Sequence, residues 1–291
     1  MQDNSQKLVS IGMTTRNHGA FIQHSIDPLL AQTYKNIVLI ILDGASEDNT
    51  EEICSIYAEK DARVRYIRSE VNGGFVKDFG NVLKEGTGEY FMWAADDDWW
   101  HATFVERMVD VLEKNSEFGV AMSNFGEHFS YKYDPANVGK IFRHNYTGMN
   151  NYQVFKELIR PKMNPIFFHG LYRRPLLVNL YSRYIPDCID GFSIFQCEAA
   201  LATKFYSVSD VLYSKYRNPI SITERHGFIK KAYQTPMPRT KYLNKMLFWL
   251  LTSRNIPIYR KHLILMPWLK NFWSYRVVVA NELKSSVLKN A

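Results

Sequence analysis

Short apolar runs alternate with amphipathic stretches along the first 125 residues. Two β-branched runs, at 9–13 and 37–42, are each followed by a segment with helical periodicity, and further apolar runs follow at 64–67 and 90–95. Buried parallel strands have this continuous apolar character, and the helices that connect them are amphipathic. The alternation therefore predicts an α/β fold, a Rossmann-like and mostly parallel sheet flanked by helices.

Capping and breaking residues mark where the helices begin and end. Asp48-Asn49-Thr50-Glu51 is typical of a helix N-terminus, and the glycines at 86 and 88 end a later helix. Between about 131 and 151 the pattern loosens, which predicts a mobile or acceptor-facing loop. The predicted helices are 50–59, 75–84, 102–113 and 192–203, and the strands are 9–13, 37–42, 64–67, 90–95, 120–125, 205–208 and 211–216. Regular structure is expected to resume at 152–159.

The fourth predicted strand runs directly into Asp96, Asp97 and Asp98. Adjacent carboxylates repel one another and raise one another's pKa unless something compensates. Hard cations such as Mg²⁺ or Mn²⁺ bind carboxylate and phosphate oxygens together, and ligands of doubly wound sheets bind beyond the carboxyl ends of the strands. We therefore expect a divalent cation that bridges these acids to a nucleotide diphosphate. The alternative is a solvated acidic turn that caps the next helix.

The composition indicates a globular protein in a reducing compartment. The chain has 291 residues, 46% of them hydrophobic, which is enough for one large core or for a core with an appended subdomain. Its three cysteines have no C-x-x-C spacing, so they indicate neither a disulfide framework nor a zinc site. Residues 1–7 are polar and do not resemble a signal peptide. We expect a cytoplasmic location.

The net charge of +7 is concentrated in the C-terminal tail, residues 225–291, where 13 Lys and Arg accompany the single acid Glu282. Large aromatic residues are interleaved with these basic ones, and no apolar stretch approaches the ~20 residues that cross a bilayer. This composition is typical of a peripheral anchor on anionic lipid, here the inner face of the cell membrane. The alternatives are a helical subdomain and a homo-oligomer interface. No nucleic-acid partner is expected, because no recognition motif is present.

Four segments of the chain, in this order and spacing, resemble the inverting GT-A glycosyltransferases of family 2. They are residues 9–17, 32–34, 42–50 and 88–98. The resemblance is strong over about 8–125 and looser over about 168–217. It implies a GT-A catalytic domain at 1–224, with a nucleotide-sugar-binding half at 1–125 and an acceptor-side half at 126–224, followed by a basic aromatic extension at 225–291.

The resemblance also implies a binding site for the donor nucleotide. The loop from Thr14 to Asn17 would contact the base and ribose, with the planar guanidinium of Arg16 in the position of an aromatic residue that stacks on the base in many members. Asp43 would accept a hydrogen bond from the base or ribose; its alternative role is that of a turn residue. Lys77 is the cation nearest to the place where many members carry an Arg-Asn pair, and it is alternatively a surface helix residue.

The family's acidic motif is usually Asp-x-Asp, and its second Asp matches Asp97, which is our candidate metal ligand. Asp96 would contact the ribose or diphosphate. Asp98 is either a second acid at the metal or the N-cap of the following helix. His226 corresponds to a C-terminal histidine that reaches the metal in some GT-A enzymes, although an isolated histidine often has a simpler role.

Inverting transfer requires a general base that deprotonates the acceptor hydroxyl while its oxygen attacks the anomeric carbon. By resemblance this base is Asp190, just before the helix predicted at 192–203, with Asp187 and Glu198 as rivals. The alternative role of Asp190 is that of an N-cap. No protein nucleophile is required.

The sequence thus predicts a metal-dependent inverting glycosyltransferase. It would use a nucleoside diphosphate sugar, preferably a UDP-sugar, with Mn²⁺ or Mg²⁺, and an acceptor that is a glycan or a lipid-linked saccharide of surface polysaccharide synthesis. A non-catalytic protein that binds nucleotide-sugars or serves as a scaffold is the alternative, because Gly44 and Ala95 depart from the family pattern. A nucleotidyltransferase is disfavoured, since 13–19 is not a glycine-rich phosphate loop.

Overall fold

The structure is a computed structural model that describes residues 6–130, 132–159, 170–182, 191–217 and 238–282. In the described residues a single sheet contains every strand. The strands are β1 Val9–Thr15, β2 Ile37–Asp43, β3 Val64–Arg68, β4 Tyr90–Ala94, β5 Trp99–Trp100, β6 Phe118–His128, β7 Ile141–Phe142, β8 Leu171–Arg173 and β9 Lys204–Tyr216. The helices are α1 Gln23–Leu30, α2 Thr50–Lys60, α3 Phe75–Glu85, α4 Phe104–Lys114, α5 Asn151–Leu158, α6 Arg174–Tyr181, α7 Gly191–Ala202, α8 Pro238–Thr252 and α9 His262–Ser274.

The predicted α/β fold is confirmed, with the parallel strands in the order β3-β2-β1-β4. β1 is central among them and pairs with β2 from Val9 opposite Ile37 to Thr15 opposite Asp43. Since all four strands run the same way, their carboxyl ends meet at one edge of the sheet. The predicted site residues that come at the ends of β1, β2 and β4 therefore lie at this edge.

The remaining strands continue the sheet in the order β8-β6-β9-β5. β8 is antiparallel to both β4 and β6, and β5 is antiparallel to β9. The two strands predicted at 205–208 and 211–216 are one continuous strand, β9, because pairing with β6 carries it through the polar residues Ser209 and Asp210. In the segment predicted as a loop, β7 pairs with β6 and residues Pro135–Asn137 form a 3₁₀ turn.

Trp93 is the centre of the aromatic core under the parallel strands. It is fully buried, and its ring meets Phe79, Phe91 and Tyr172 edge-on at centroid distances of 5.9, 5.4 and 6.2 Å. Its indole Nε1 also donates to the carbonyl of Phe79 at 3.1 Å. Because such aromatic pairs add to the free energy of burial, Trp93 holds α3 against β4, the strand that leads into the acids.

The chain divides into two compact units, and the sheet belongs to the first. That unit comprises residues 1–148, 166–179 and 205–217, and the second comprises 149–165, 180–204 and 218–291. The division that we predicted at residue 224 remains a prediction.

Within the second unit, α8 packs on α7 through the buried carboxylate of Glu198. This carboxylate accepts hydrogen bonds from the Trp249 indole at 2.6 Å, the Ser253 hydroxyl at 2.5 Å and the Asn255 amide at 3.0 Å. The described part of the basic tail is largely helical. Its first helix, α8, is held in this unit by the bonds to Glu198. Of the helices in the described ranges, none has both the length and the apolar character required to span a bilayer.

Candidate active site

Two loops at the carboxyl edge of the sheet, 16–19 after β1 and 44–50 after β2, are joined by hydrogen bonds. The amide of Asn17 donates to the Ser46 hydroxyl at 2.9 Å, and the side chain of Asn17 accepts from the Glu47 amide at 2.8 Å. Asn17 and Ala45 both have positive φ, 53° and 59°, which is unfavourable for residues with a side chain. The network holds these backbone conformations and so fixes the shape of the edge.

Asp43, at the end of β2, is fully buried, and both of its carboxylate oxygens are engaged. One oxygen accepts from the amide and hydroxyl of Ser46 at 2.9 and 2.6 Å. The other accepts from the Tyr66 hydroxyl at 2.8 Å and from Arg68 at 3.2 Å. Burial and the Asp43 carboxylate raise the pKa of Tyr66, so its hydroxyl remains a donor at neutral pH. The predicted contact between Asp43 and the nucleotide stays a prediction.

Arg68 is a site residue that sequence reasoning missed. Its guanidinium also donates to the Ser46 carbonyl at 3.0 Å and lies 3.2 Å from Glu51, while its side chain remains 36% exposed. A planar cation held by several acceptors and still open to solvent can stack on a base or pair with an anion. Arg68 could have been found from the sequence because it comes just after the strand predicted at 64–67, at the edge where ligands bind.

The other predicted donor-site residues lie in the same unit. Thr14 is half-buried near the end of β1, and Arg16 follows it with one guanidinium nitrogen 3.1 Å from Glu47. Lys77 is exposed in the first turn of α3. Arg16 is thus paired with Glu47, and Lys77 is a positive side chain open to solvent.

The acidic segment directly follows β4, as predicted, and its three carboxylates have different surroundings. Asp96 Oδ2 lies 2.8 Å from Nδ1 of the buried His18, a residue that sequence reasoning also missed. Asp97 is partly exposed. Asp98 is buried and accepts from the Tyr213 hydroxyl and, at 2.8 Å, from the Tyr216 amide, both in β9.

These contacts make Asp98 the anchor of the segment. Burial, together with the neighbouring Asp97, raises its pKa to about 7. The expected alternative, that Asp98 is the N-cap of the next helix, is wrong because α4 begins at Phe104 and its N-cap is Thr103. Contact of Asp98 with a metal stays a prediction, and such contact would compete with the bonds from β9.

A divalent cation fits this donor set. In the parts of the chain that the structure describes, no group of three or more His, Cys, Asp and Glu side chains could hold a metal ion by itself. A hard cation of the Mg²⁺ type needs only one or two carboxylates when phosphate oxygens and water complete its coordination. Asp97, with Asp96 beside it, supplies this partial set.

The predicted base and the histidine ligand, Asp190 and His226, lie outside the described residues, as does the rival Asp187. The other rival base, Glu198, is fully buried at 0% exposure and accepts from three donors. Its contacts are those of a structural carboxylate within the second unit.

Comparison with known proteins identifies the family. The pattern described as "Glycosyl transferase family 2" matches residues 10–200. An uncharacterized glycosyltransferase of Rickettsia typhi is 35% identical over 113 residues, and glycosyltransferase GlyG of Streptococcus pneumoniae is 30% identical over 137 residues. These matches cover 39% and 47% of this chain but only 34% and 43% of the two relatives.

Solved structures share the fold at low identity. TarS 1–349 of S. aureus, in complex with UDP-GlcNAc, superposes with a TM-score of 0.69 at 16% identity, over 92% of this chain and 73% of TarS. The mannosyltransferase PcManGT of Pyrobaculum calidifontis, in complex with GDP-Man and Mn²⁺, gives a TM-score of 0.58 at 17% identity, over 97% of this chain and 76% of its own. The chain therefore belongs to glycosyl transferase family 2 and has the GT-A fold.

Proposed function

We propose that this protein is a metal-dependent inverting glycosyltransferase that moves a sugar from a nucleoside diphosphate sugar, preferably a UDP-sugar, to a hydroxyl group of its acceptor. The observation that carries the proposal is the acidic segment at the end of β4. Asp97 is partly exposed there, while Asp96 and Asp98 are held by His18 and by β9. The acceptor in this proposal is a glycan or a lipid-linked saccharide of surface polysaccharide synthesis.

Each residue of the proposed site has a separate task in this reaction. Asp97, with Asp96 oriented by His18, would hold Mn²⁺ or Mg²⁺, which when bound neutralises the charge that develops on the leaving diphosphate. Arg16 and Arg68 would orient the nucleoside through their planar guanidinium groups. Asp190 would take the proton from the acceptor hydroxyl as general base. The complexes of TarS with UDP-GlcNAc and of PcManGT with GDP-Man and Mn²⁺ support this class of donor and cofactor.

Thermal-shift titration with UDP, GDP and dTDP, each with and without Mn²⁺, tests the donor site. We expect one nucleotide to raise Tm more strongly in the presence of Mn²⁺, because a ligand that binds the folded state stabilises it. Asp97→Asn should remove the Mn²⁺-dependent part of the shift. Asp110→Asn, an equal charge change at an exposed position, is the matched control. If no nucleotide stabilises the wild-type protein in the presence of Mn²⁺, the donor-site proposal is wrong.

A transfer assay separates the catalytic proposal from its alternative. Asp190→Asn should abolish transfer and leave the nucleotide-dependent Tm shift intact, because a general base acts on the acceptor. Full transfer activity in this variant would exclude Asp190 as the base. A wild-type protein that binds nucleotide but hydrolyses or transfers no sugar would favour the alternative, a non-catalytic nucleotide-sugar-binding or scaffold protein.

We also propose that the tail attaches the protein peripherally to an anionic membrane surface. On α9 the exposed apolar residues Leu265, Met266, Leu269 and Trp273 recur at helical spacing. The described tail, 238–282, carries eight Lys and Arg and the single acid Glu282. An exposed apolar stripe with surrounding positive charge has the features of an interfacial helix.

Point variants test this attachment better than truncation, because truncation within α8 would remove the donors that bind Glu198. Leu265→Ser/Trp273→Ser should lose co-sedimentation with vesicles of phosphatidylcholine and phosphatidylglycerol. Phe129→Ser, which removes an equally exposed aromatic residue from the first unit, is the control. Undiminished sedimentation of the double variant would show that this stripe is not the anchor.

A further inference from the structure

Asp78, in the first turn of α3, is a buried carboxylate outside the groups considered so far. The residue is 6% exposed, and its backbone amide donates to the Gly74 carbonyl at 3.0 Å. Among the residues that the structure describes, none donates a hydrogen bond to its carboxylate. Burial raises the pKa of this carboxyl to about 6, against the opposing effect of Lys77. A buried carboxylate without protein donors is unfavourable for folding and needs an explanation, and a ligand that supplies a donor is one such explanation.

The Asp78 carboxylate lies beside Gly44, and we call the space around the missing side chain of residue 44 the niche. A Cβ atom built on Gly44 would lie 3.4 Å from Asp78 Oδ2, 3.6 Å from the Thr15 carbonyl oxygen and 3.7 Å from Asn72 Oδ1. The Thr15 carbonyl oxygen already accepts a hydrogen bond from the Gly44 amide at 2.9 Å, and Asn72 Oδ1 accepts one from the Gly74 amide at 3.0 Å. The three oxygens nearest to the niche are thus acceptors, and of these only the Asp78 carboxylate accepts no hydrogen bond from a described residue.

The chemistry of the niche selects one part of a donor substrate, and this step rests on the proposed function. Phosphate oxygens are anionic acceptors, so acceptors and a carboxylate repel them. The nucleoside carries donors, namely the ribose hydroxyls and the N–H groups of the base. The niche lies at the carboxyl ends of β1 and β2, beside Asp43, whose oxygens are fully engaged. Exposed Asn72 forms its outer wall.

We propose that the Asp78 carboxylate is a binding residue for the nucleoside part of the donor and accepts a hydrogen bond from a base N–H or a ribose hydroxyl in the niche beside Gly44. In this role Asp78 accepts the hydrogen bond from the nucleoside, because both oxygens of Asp43 already accept from protein donors. Its buried charge is stabilised when the ligand is bound. The residue therefore contributes to selection of the nucleoside and takes no part in the chemical step.

Calorimetric titration of the full chain with UDP, GDP and dTDP in the presence of Mn²⁺ tests the proposal. With the nucleotide that binds the wild-type protein most tightly, Asp78→Asn should weaken binding about tenfold, the scale of one hydrogen bond to a charged group. Gly44→Ala should weaken it similarly by filling the niche. This variant should fold normally, because its Cβ meets ordinary contact distances and Gly44 has no positive φ. Asp110→Asn is the charge-matched control and should bind like the wild type.

Nucleotide analogues identify the donating group. The 2′,3′-dideoxy form, which lacks both ribose hydroxyls, and the N-methylated-base form of the same nucleotide are titrated against the wild type and Asp78→Asn. The analogue that lacks the donor should bind both proteins equally, whereas the other should retain the tenfold difference.

If Asp78→Asn and Gly44→Ala both bind the parent nucleotide within twofold of the wild type, or if neither analogue removes the difference, the inference is overturned while the proposed function stands. If the wild type binds none of the three nucleotides, the proposed function fails and this inference fails with it.

Discussion

Replacing Asp78 by asparagine should stabilise the unliganded protein at neutral pH. The carboxyl and the amide have nearly the same shape, so the packing of α3 against the loop after β2 is preserved. The change removes a negative charge that is 6% exposed and accepts no hydrogen bond from the described residues.

The raised pKa of Asp78 gives the size and the pH dependence of the effect. A rise from 3.8 in the unfolded chain to about 6 in the folded protein corresponds to about 3 kcal/mol of the free energy of unfolding. Because the folded state holds the proton more tightly, there is no penalty at a pH below the unfolded value of 3.8. Stability is lost as pH rises through about 6, and the full penalty is present above pH 7.

Urea denaturation of the wild type and Asp78→Asn between pH 4.5 and 8 measures this difference, with Asp110→Asn as the control for a change in net charge. The stability advantage of Asp78→Asn should grow with pH and level off above pH 7 at about 3 kcal/mol. An advantage that is the same at pH 4.5 and pH 8 would refute the reasoning, since the buried charge would then not be its source.

Three further substitutions test other features. Ala45→Gly should raise the free energy of unfolding by up to about 1 kcal/mol, because glycine tolerates the φ of 59°, and denaturant titration measures it. Gly88→Ala should destabilise by about 2 kcal/mol or more, since its Cβ would lie 2.4 Å from the Leu8 carbonyl oxygen; Gly148→Ala, with open space around its Cβ, should be neutral in the same assay. Glu198→Ala should cost about 3 kcal/mol by removing the shared acceptor of three donors, of which the Ser253 hydroxyl is buried, and an unchanged Tm would contradict this.

The parallel strands could be predicted from the sequence because their burial on both faces produces continuous apolar runs. β1 to β4 begin where the pattern places them, and α2 begins at Thr50 after the predicted cap. The two-residue strand β5 could not be predicted, because Trp99–Trp100 is a strand only by virtue of its pairing with β9. Polar residues inside β9 were interpreted as a break for the same reason: long-range pairing outweighs local pattern.

The location of a site residue could be predicted where that residue lies at the end of a strand. Asp43 and Asp96 to Asp98 follow strands directly, so their location could be read from the sequence. The roles of His18, Arg68 and Asp78 depend on which side chains approach them in space, and no local spacing encodes that approach. The N-cap prediction for Asp98 was wrong because the helix begins six residues later, after Thr103.

The bonds from β9 to Asp98 have a consequence for biosynthesis and for protein engineering. The acidic segment is made early, yet its anchors, Tyr213 and Tyr216, emerge from the ribosome more than a hundred residues later. A nascent chain that ends near residue 125 therefore cannot lock the carboxylates in place. Split or minimal versions should therefore retain the strand at 204–216, because a fragment that ends near residue 125 would lack both residues that donate to Asp98.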